Sequence, residues 1–511
     1  MTRFSALFSA AVLLTALSIA GTPVRAADQL AEKFGTMPAM WGVQLSPDGS
    51  KVSFLRMHES GIPIDVVIDL AKGKTYVAVA SKPGEFDVIW CDWANDQRLI
   101  CALRGVPDVP AGMPKRYAQL LMGVNFDGSK PKTFFDQEMK NTPFFQPPTR
   151  IVDWLLDDDN RVLVQMPGDR GQGLDKLNLK NGATLRTEAS KVSVNFWLTD
   201  GTGVSRVYNE RNRDESIWYY RNGKDEDWKE LHRSSTEQYE TYQPVGFAAD
   251  RRTLYIIKQQ DGRNALFARD LEGDNTEKLV YANPYVGVSQ PILLGAAHHV
   301  AGFTYRTDVI RHEFVDPDAS KLVSRVQANF PGKDVAIAAL SANGKRAVMH
   351  VAGVDDPGAY YIMDVDKNAM GRLQVDMPQL ADVTMPTTKE YAFKSRDGAA
   401  IGASLTLPAG KAEKLPTVIL AHGSAQPLGY SGFDYLNHYL AAKGFAVLRV
   451  YYRGSEDYLR DWAAGANFQN WQRTANDLED AANALVSAGV TDGTRVCVAG
   501  WGHAGYDGKL P

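Results

Sequence analysis

At 511 residues the chain is longer than one hydrophobic core usually organises, so two or three domains are expected. Its 44% apolar and 23% charged residues are ordinary for a globular protein, and a net charge of −4 supplies neither a basic footprint for nucleic acid nor a strong field to steer ligands. Ten Trp, 21 Tyr and 44 Gly point to many strands and tight turns, and no stretch after the N-terminus resembles a membrane span.

Residues 1–26 read as a targeting segment. Arg3 is a positive start, Ala6 to Ala20 form an almost unbroken apolar run, and Val24-Arg25-Ala26 is a small-residue cleavage site. The competing reading is an uncleaved membrane anchor, for which the run is short. The mature chain is expected to begin near Ala27, in a periplasm-like or extracellular space and free of the membrane. An oxidising compartment gives Cys91 and Cys101 a meaning, because they flank a hairpin turn at Asn95-Asp96 and could face each other across its strands. A disulfide and two buried thiols are both open readings.

From about residue 40 to 380 one unit recurs: a strand, a polar turn, a second strand, then a looser pair. The turns include Ser46-Pro47-Asp48-Gly49, Ala94-Asn95-Asp96-Gln97, Asp157-Asp158-Asp159-Asn160, Thr199-Asp200-Gly201, Ala248-Ala249-Asp250-Arg251 and Ser341-Ala342-Asn343-Gly344. Alternating apolar residues follow most of them, such as Val52 and Phe54, or Leu254 and Ile256. The spacing, roughly 40 to 60 residues, is the scale of a four-stranded propeller blade. A single blade cannot bury both faces, so radial stacking must supply the core. The best count is seven blades over residues 27–380, with a pair of sandwiches as the less regular alternative.

Residues 381–389 read as a linker, with Pro386 as a breaker, and the pattern then turns to β/α. Tyr391 to Ser395 and Ile401 to Leu407 form a hairpin, and Val418 to Ala421 and Ala446 to Tyr451 are buried strands. Phe433 to Lys443 is a helix closed by Gly444. Trp471, Ala475, Leu478, Ala482, Leu485 and Val486 share one face of a longer helix capped by Gly489. Val496 to Ala499 is the last strand, and Cys497 within it reads as a small core residue. This alternation predicts a mostly parallel sheet over residues 390–511. The expected fold class is thus β plus α/β: a seven-bladed β-propeller followed by a β/α unit, which the turn and motifs that follow liken to the N-terminal half of an α/β-hydrolase domain.

The last strand runs into Gly500-Trp501-Gly502-His503-Ala504-Gly505-Tyr506, a tight turn of the kind that, as G-x-S-x-G, exposes a nucleophilic serine. Gly502 occupies the serine position and has no side chain to attack with. The chain as given stops at Pro511, before the acid and histidine that follow the serine in such domains.

Taken in order, Ser395-Arg396-Asp397-Gly398, Pro416 to Gly423, Tyr452-Arg453-Gly454-Ser455, Asn470-Trp471 with Asp477, and Arg495 to Gly500 resemble the prolyl oligopeptidase family of serine peptidases. The resemblance implies hydrolysis of short peptides through an acyl-serine intermediate, with the propeller restricting access and no cofactor or metal. It places His422, Gly423 and Ser424 on the oxyanion loop and Arg453, Gly454 and Ser455 near the site. The loop histidine and the Arg453 turn each have a purely structural reading as well. Ser431 lacks elbow spacing, and His298-His299, neighbours on a strand, point to opposite faces and chelate poorly. The expectation is a catalytically incompetent member of this lineage. The alternatives are a secreted propeller acting as a binding module, a fragment or frameshift product of an active peptidase gene, or a hydrolase completed by a second chain.

Overall fold

The computed structural model describes residues 28–500 apart from 107–116, 136–149, 169–170, 190, 192, 237–240, 296–297, 307–309, 422–431 and 454–470. Seven antiparallel sheets succeed one another from Trp41 to Val375, each with its strands in sequence order. The expected polar turns make the first hairpins. In the first blade Ser46 Oγ donates to Asp48, Lys51 N donates back to Ser46 Oγ at 3.0 Å, and Gly49 N reaches Ser46 O at 2.7 Å. The Ser341 turn of the last blade repeats this with Asn343 in place of Asp48.

Those two turns also close the ring. Ala342 N donates to Pro47 O at 2.8 Å, and Val52, Phe54 and Val66 of the first blade share one core with Ala339 and Val348 of the seventh. A similar apolar cluster fills every other seam, from Leu55 against Trp93 between blades 1 and 2 to Ala301 against Met349 between blades 6 and 7. The core is therefore radial, as expected of blades that each have two apolar faces.

Several details depart from the sequence reading. The sixth blade has three strands among the described residues, and helix Pro317–Gln327 follows them. Asp316 caps that helix by accepting from Asp318 N and Ala319 N, and its Leu322 and Val326 pack into the seam with blade 7. Cys91 and Cys101 are register partners across their hairpin, both buried, and are joined by a disulfide.

The hydrolase segment starts earlier than 390. Strand Thr387–Lys394 begins inside the stretch read as linker and pairs with Ala400–Leu407. The sheet order continues through Ala446–Val450 and Leu415–Ala421 to Thr491–Gly500, the last three being parallel. Helix Tyr435–Ala442 covers one face through Val418, Leu420 and Val447, and helix Trp471–Ser487 covers the other through Ile419, Leu448 and Val450. The buried face of the longer helix is Thr474, Asp477, Leu478, Ala481 and Leu485, so it is rotated from the predicted one and leaves Val486 exposed. Cys497 is also exposed, because its strand is the edge of the described sheet with a neighbour on one side only. A position next to a covered strand would have buried it.

The N-terminal helix Gln29–Gly35 belongs with the hydrolase side as much as with the propeller. Phe34 packs beside Phe433 and Tyr439, and Asp28 accepts from Tyr439 Oη and pairs with Lys443 at 2.9 Å. From the seventh blade Asp355 accepts from Thr388 N at 2.8 Å and meets Nε2 of the buried His438 at 3.2 Å. Burial would raise the Asp355 carboxyl, but the hydrogen bonds from His438 and Thr388 outweigh it and hold the group below its ordinary range.

Candidate active site

In an open parallel sheet the loops at the carboxyl ends of the strands build the site. Ala421 and Gly500, the last residues of neighbouring parallel strands, are register partners. His422, Gly423 and Ser424 follow the first of these strands in sequence, and Trp501, Gly502, His503, Gly505 and Tyr506 follow the second. Those residues, with Gly454, Ser455 and Ser431, lie outside the described residues. Of the sequence candidates here, Gly500 and Arg453 are described, and Gly500 is half-buried.

Arg453 follows the third member of the parallel set, and every part of its head group is engaged. Its Nε and backbone N donate to Asp477 Oδ2 at 3.0 and 3.1 Å, and its two terminal nitrogens reach Asp477 Oδ1 and Asp397 Oδ2, each at 2.5 Å. Asp477 is fully buried, so this bidentate pair sits in a medium where it is strong and costly to break. The Arg453 guanidinium, with help from Ser395 Oγ, holds the Asp397 carboxyl well below the usual carboxylate range. Next door, Arg396 clasps Asp480 and Glu479 on the same helix. The Arg453 side chain anchors the strand end to helix Trp471–Ser487 and the Ser395–Ala399 turn.

A second buried pair does the same on the opposite face. Asp434 caps helix Tyr435–Ala442 through Leu436 N and Asn437 N while holding Arg449 of the adjacent strand. Thus helix Tyr435–Ala442 is tied to the sheet at its first turn.

Beside this end, a cavity of about 730 Å³ opens between the N-terminal helix, blades 6 and 7, and Gly432-Phe433. Its walls include Phe34, Met37, Met377 and Phe433, and two polar pairs face it: His350 Nε2 with Asp376 Oδ2 at 2.8 Å, and His312 Nδ1 near Asp334 at 3.5 Å. Asp376 Oδ1 is buried with no hydrogen-bond partner among the described residues. Sequence reasoning missed these residues, which carry no motif and converge only through the fold. His298 and His299 go to separate partners, the first stacking on Trp154 and the second meeting Asp316. Among the described residues no group of three or more His, Cys, Asp or Glu is arranged to hold a metal ion.

Comparison with known proteins agrees with this geometry. The sequence profile of the Prolyl oligopeptidase family matches residues 431–507. A dipeptidyl aminopeptidase BIII from Pseudoxanthomonas mexicana is 26% identical over 508 residues, spanning 96% of this chain and 69% of the relative. Among solved structures, one from a study of two prolyl endopeptidases matches with a TM-score of 0.65 at 13% identity, covering 94% of this chain and 71% of that one. A puromycin-hydrolysing peptidase from Mycobacterium tuberculosis matches with a TM-score of 0.65 at 16% identity, over 94% and 76%. The chain thus has the propeller–hydrolase fold seen in prolyl oligopeptidases, and it carries that family's sequence signature from residue 431 to 507.

Proposed function

We propose that this chain comes from a lineage of exported serine peptidases acting on short peptides, and that with Gly502 in the nucleophile position it performs no acyl transfer itself. The match to the peptidase profile and the dipeptidyl aminopeptidase relative support a peptidase-type function. The observation that carries the reading is the register pair Ala421–Gly500, which launches the oxyanion segment and the elbow from adjacent strand ends. That is the arrangement in which a hydroxyl two residues beyond Gly500 would face backbone donors beyond Ala421. A glycine there keeps the strained turn accessible and removes the attacking atom. In a comparable triad, loss of the serine alone lowers turnover by about 10⁶. The apolar residues 6–20 and the small-residue site at 24–26 support export.

Labelling with a fluorophosphonate probe tests the inactivity. The purified chain is expected to take up no probe above a heat-denatured control, and stoichiometric labelling at any serine overturns the proposal. A second reading, a propeller that binds without cleaving, is favoured by the fact that all seven seams are filled by the propeller's own residues. Saturable peptide binding with unchanged peptide by mass spectrometry would distinguish it from a peptidase.

A further inference from the structure

A second cavity, of about 450 Å³, lies between blades 4 and 5 and is unlike the first in chemistry. It is built where strands Val194–Thr199, Glu215–Tyr220 and Tyr242–Phe247 begin and where Ser205–Arg211 and Lys229–Ser235 end. In blade 7 the same end of the blade, the turn between second and third strands, carries Asp355 with its bonds to Thr388 and His438. Blades of one ring share their strand direction, so the cavity opens on the end of the propeller that meets the hydrolase segment.

Among the described residues the lining holds no Asp or Glu and one cation, Arg211. The Arg211 side chain makes no hydrogen bond or ion pair among the described residues. On the neighbouring strands Glu215 and Glu230 are already engaged, because both hold Arg233. Asn209 is buried to 4% exposure and donates Nδ2 to Ser216 Oγ at 3.0 Å and to Ile217 O at 3.1 Å, which leaves its Oδ1 as an unfilled acceptor. The aromatic wall is rigid: Phe196 meets Trp218 edge-on at 5.6 Å, and Arg150 covers the Phe196 ring at 3.9 Å. A free guanidinium, an open amide oxygen and an aromatic wall within a cavity of ligand size specify a carboxylate attached to an apolar group, with an N–H donor close behind it.

We propose that this cavity binds the free carboxylate end of a small ligand, with the C-terminal carboxylate of a short peptide as the source. Arg211 takes the carboxylate, Trp218 and Phe196 take the last side chain, and Asn209 Oδ1 accepts the last amide N–H. The peptide source rests on the peptidase-lineage reading above; the carboxylate site does not. Such a site would hold a short peptide by its tail at the end of the propeller that meets the hydrolase segment, and it would disfavour chains whose C-terminus is blocked or distant.

Isothermal titration of the full chain with three probes tests this: Ala-Ala-Phe, its C-terminal amide, and phenylacetate. The free acid is expected to bind at least about tenfold more tightly than the amide, with the difference shrinking at high salt. Arg211→Ala is expected to abolish the acid–amide difference, and Arg211→Lys to restore part of it. Equal binding of acid and amide, or a difference that survives Arg211→Ala, overturns the proposal. Arg211-dependent binding of phenylacetate without binding of the tripeptide overturns the peptide source alone. Because no outcome requires turnover, the result is independent of the probe-labelling test of the elbow.

Discussion

The propeller and the hydrolase segment solve the burial problem in different ways. Each propeller seam is a cluster of aliphatic and aromatic side chains drawn from two adjacent blades, and hydrogen bonds between turns, such as Ala342 N to Pro47 O, finish the closure. The hydrolase sheet also has an apolar core on each face, but its strand ends and helices are fixed by buried ion pairs: Arg453 with Asp477, and Arg449 with Asp434. Apolar seams tolerate small losses, because neighbours can partly relax into the space. A buried pair has no such tolerance, since removing one partner strands the other charge in a medium that cannot solvate it. Damage should therefore be sharp at the buried pairs of the hydrolase segment and graded at the apolar seams of the ring.

The largest expected effect breaks that contrast directly. Asp477→Ala leaves the Arg453 guanidinium with Asp397 alone and should destabilise the hydrolase segment by about 3–5 kcal/mol. In urea, followed by hydrogen exchange, amides of Leu415–Ala421 and Ala446–Val450 are expected to lose protection while those of the blades keep it. A uniform loss over both regions would mean that the two fold as one unit and that the contrast is false.

The ring also buries charged groups, and two carboxyls among them give the next largest effect. At the seam of blades 1 and 2, Asp65 is fully buried and neither carboxylate oxygen has a hydrogen-bond partner among the described residues, so burial pushes its pKa well up. Burial also raises Asp92 to about 7, opposed only weakly by the Trp93 N–H. A folded-state pKa above the unfolded value means that protons favour folding. The stability is complete below about pH 4, the unfolded value, and is lost as pH rises through 7. Between those limits Asp92 alone changes stability by up to about 4 kcal/mol, a difference of roughly three pK units. Asp92→Asn should gain on wild type steadily from pH 5 to pH 8 in thermal melts. A constant difference across that range would show that Asp92 is solvated.

Closure of the ring supplies a smaller test. Gly49 has φ +72°, and a Cβ there would stand 2.8 Å from Arg346 Cγ in the seventh blade. Gly49→Ala combines backbone strain with a contact that the Arg346 stem can partly yield to, so about 1–2 kcal/mol is expected. Gly344→Ala, where φ is +68° but nothing lies within 4 Å, should cost less, and equal losses would mean that strain alone is being measured.

The sequence made the ring legible because six of the seven blades repeat local chemistry, a Ser, Asp or Asn turn followed in most by alternating apolar residues. Helix Pro317–Gln327 was hidden by that same regularity, although Asp316 followed by Pro317 is a helix-start signal. In the hydrolase segment the motif residues Asp397, Arg453 and Asp477 were all noticed, but that they bond one another was not, since they lie far apart along the chain. Asp355 with His438, and the two histidine–aspartate pairs of the 730 Å³ cavity, have no local signature. The burial of Cys497 was misjudged for a related reason. A strand of Val, Cys, Val and Ala reads as central, and only its neighbours decide whether it is an edge.

The smallest effect concerns the strap that joins the two regions. Lys33 pairs with Asp382 at 2.6 Å, but the carboxylate is 74% exposed, and solvent and salt screen such a pair heavily. Phe34 beside it is 2% exposed and packs against Leu380 and Tyr439, so the apolar contact should dominate the docking of the N-terminal helix. Lys33→Ala is therefore expected to leave the melting temperature of the hydrolase segment almost unchanged and to lose its small effect at high salt. Phe34→Ala should lower that temperature clearly and independently of salt. The reverse order would make the strap an electrostatic latch, and the hydrolase segment would then depend on ion pairs at its surface as well as within it.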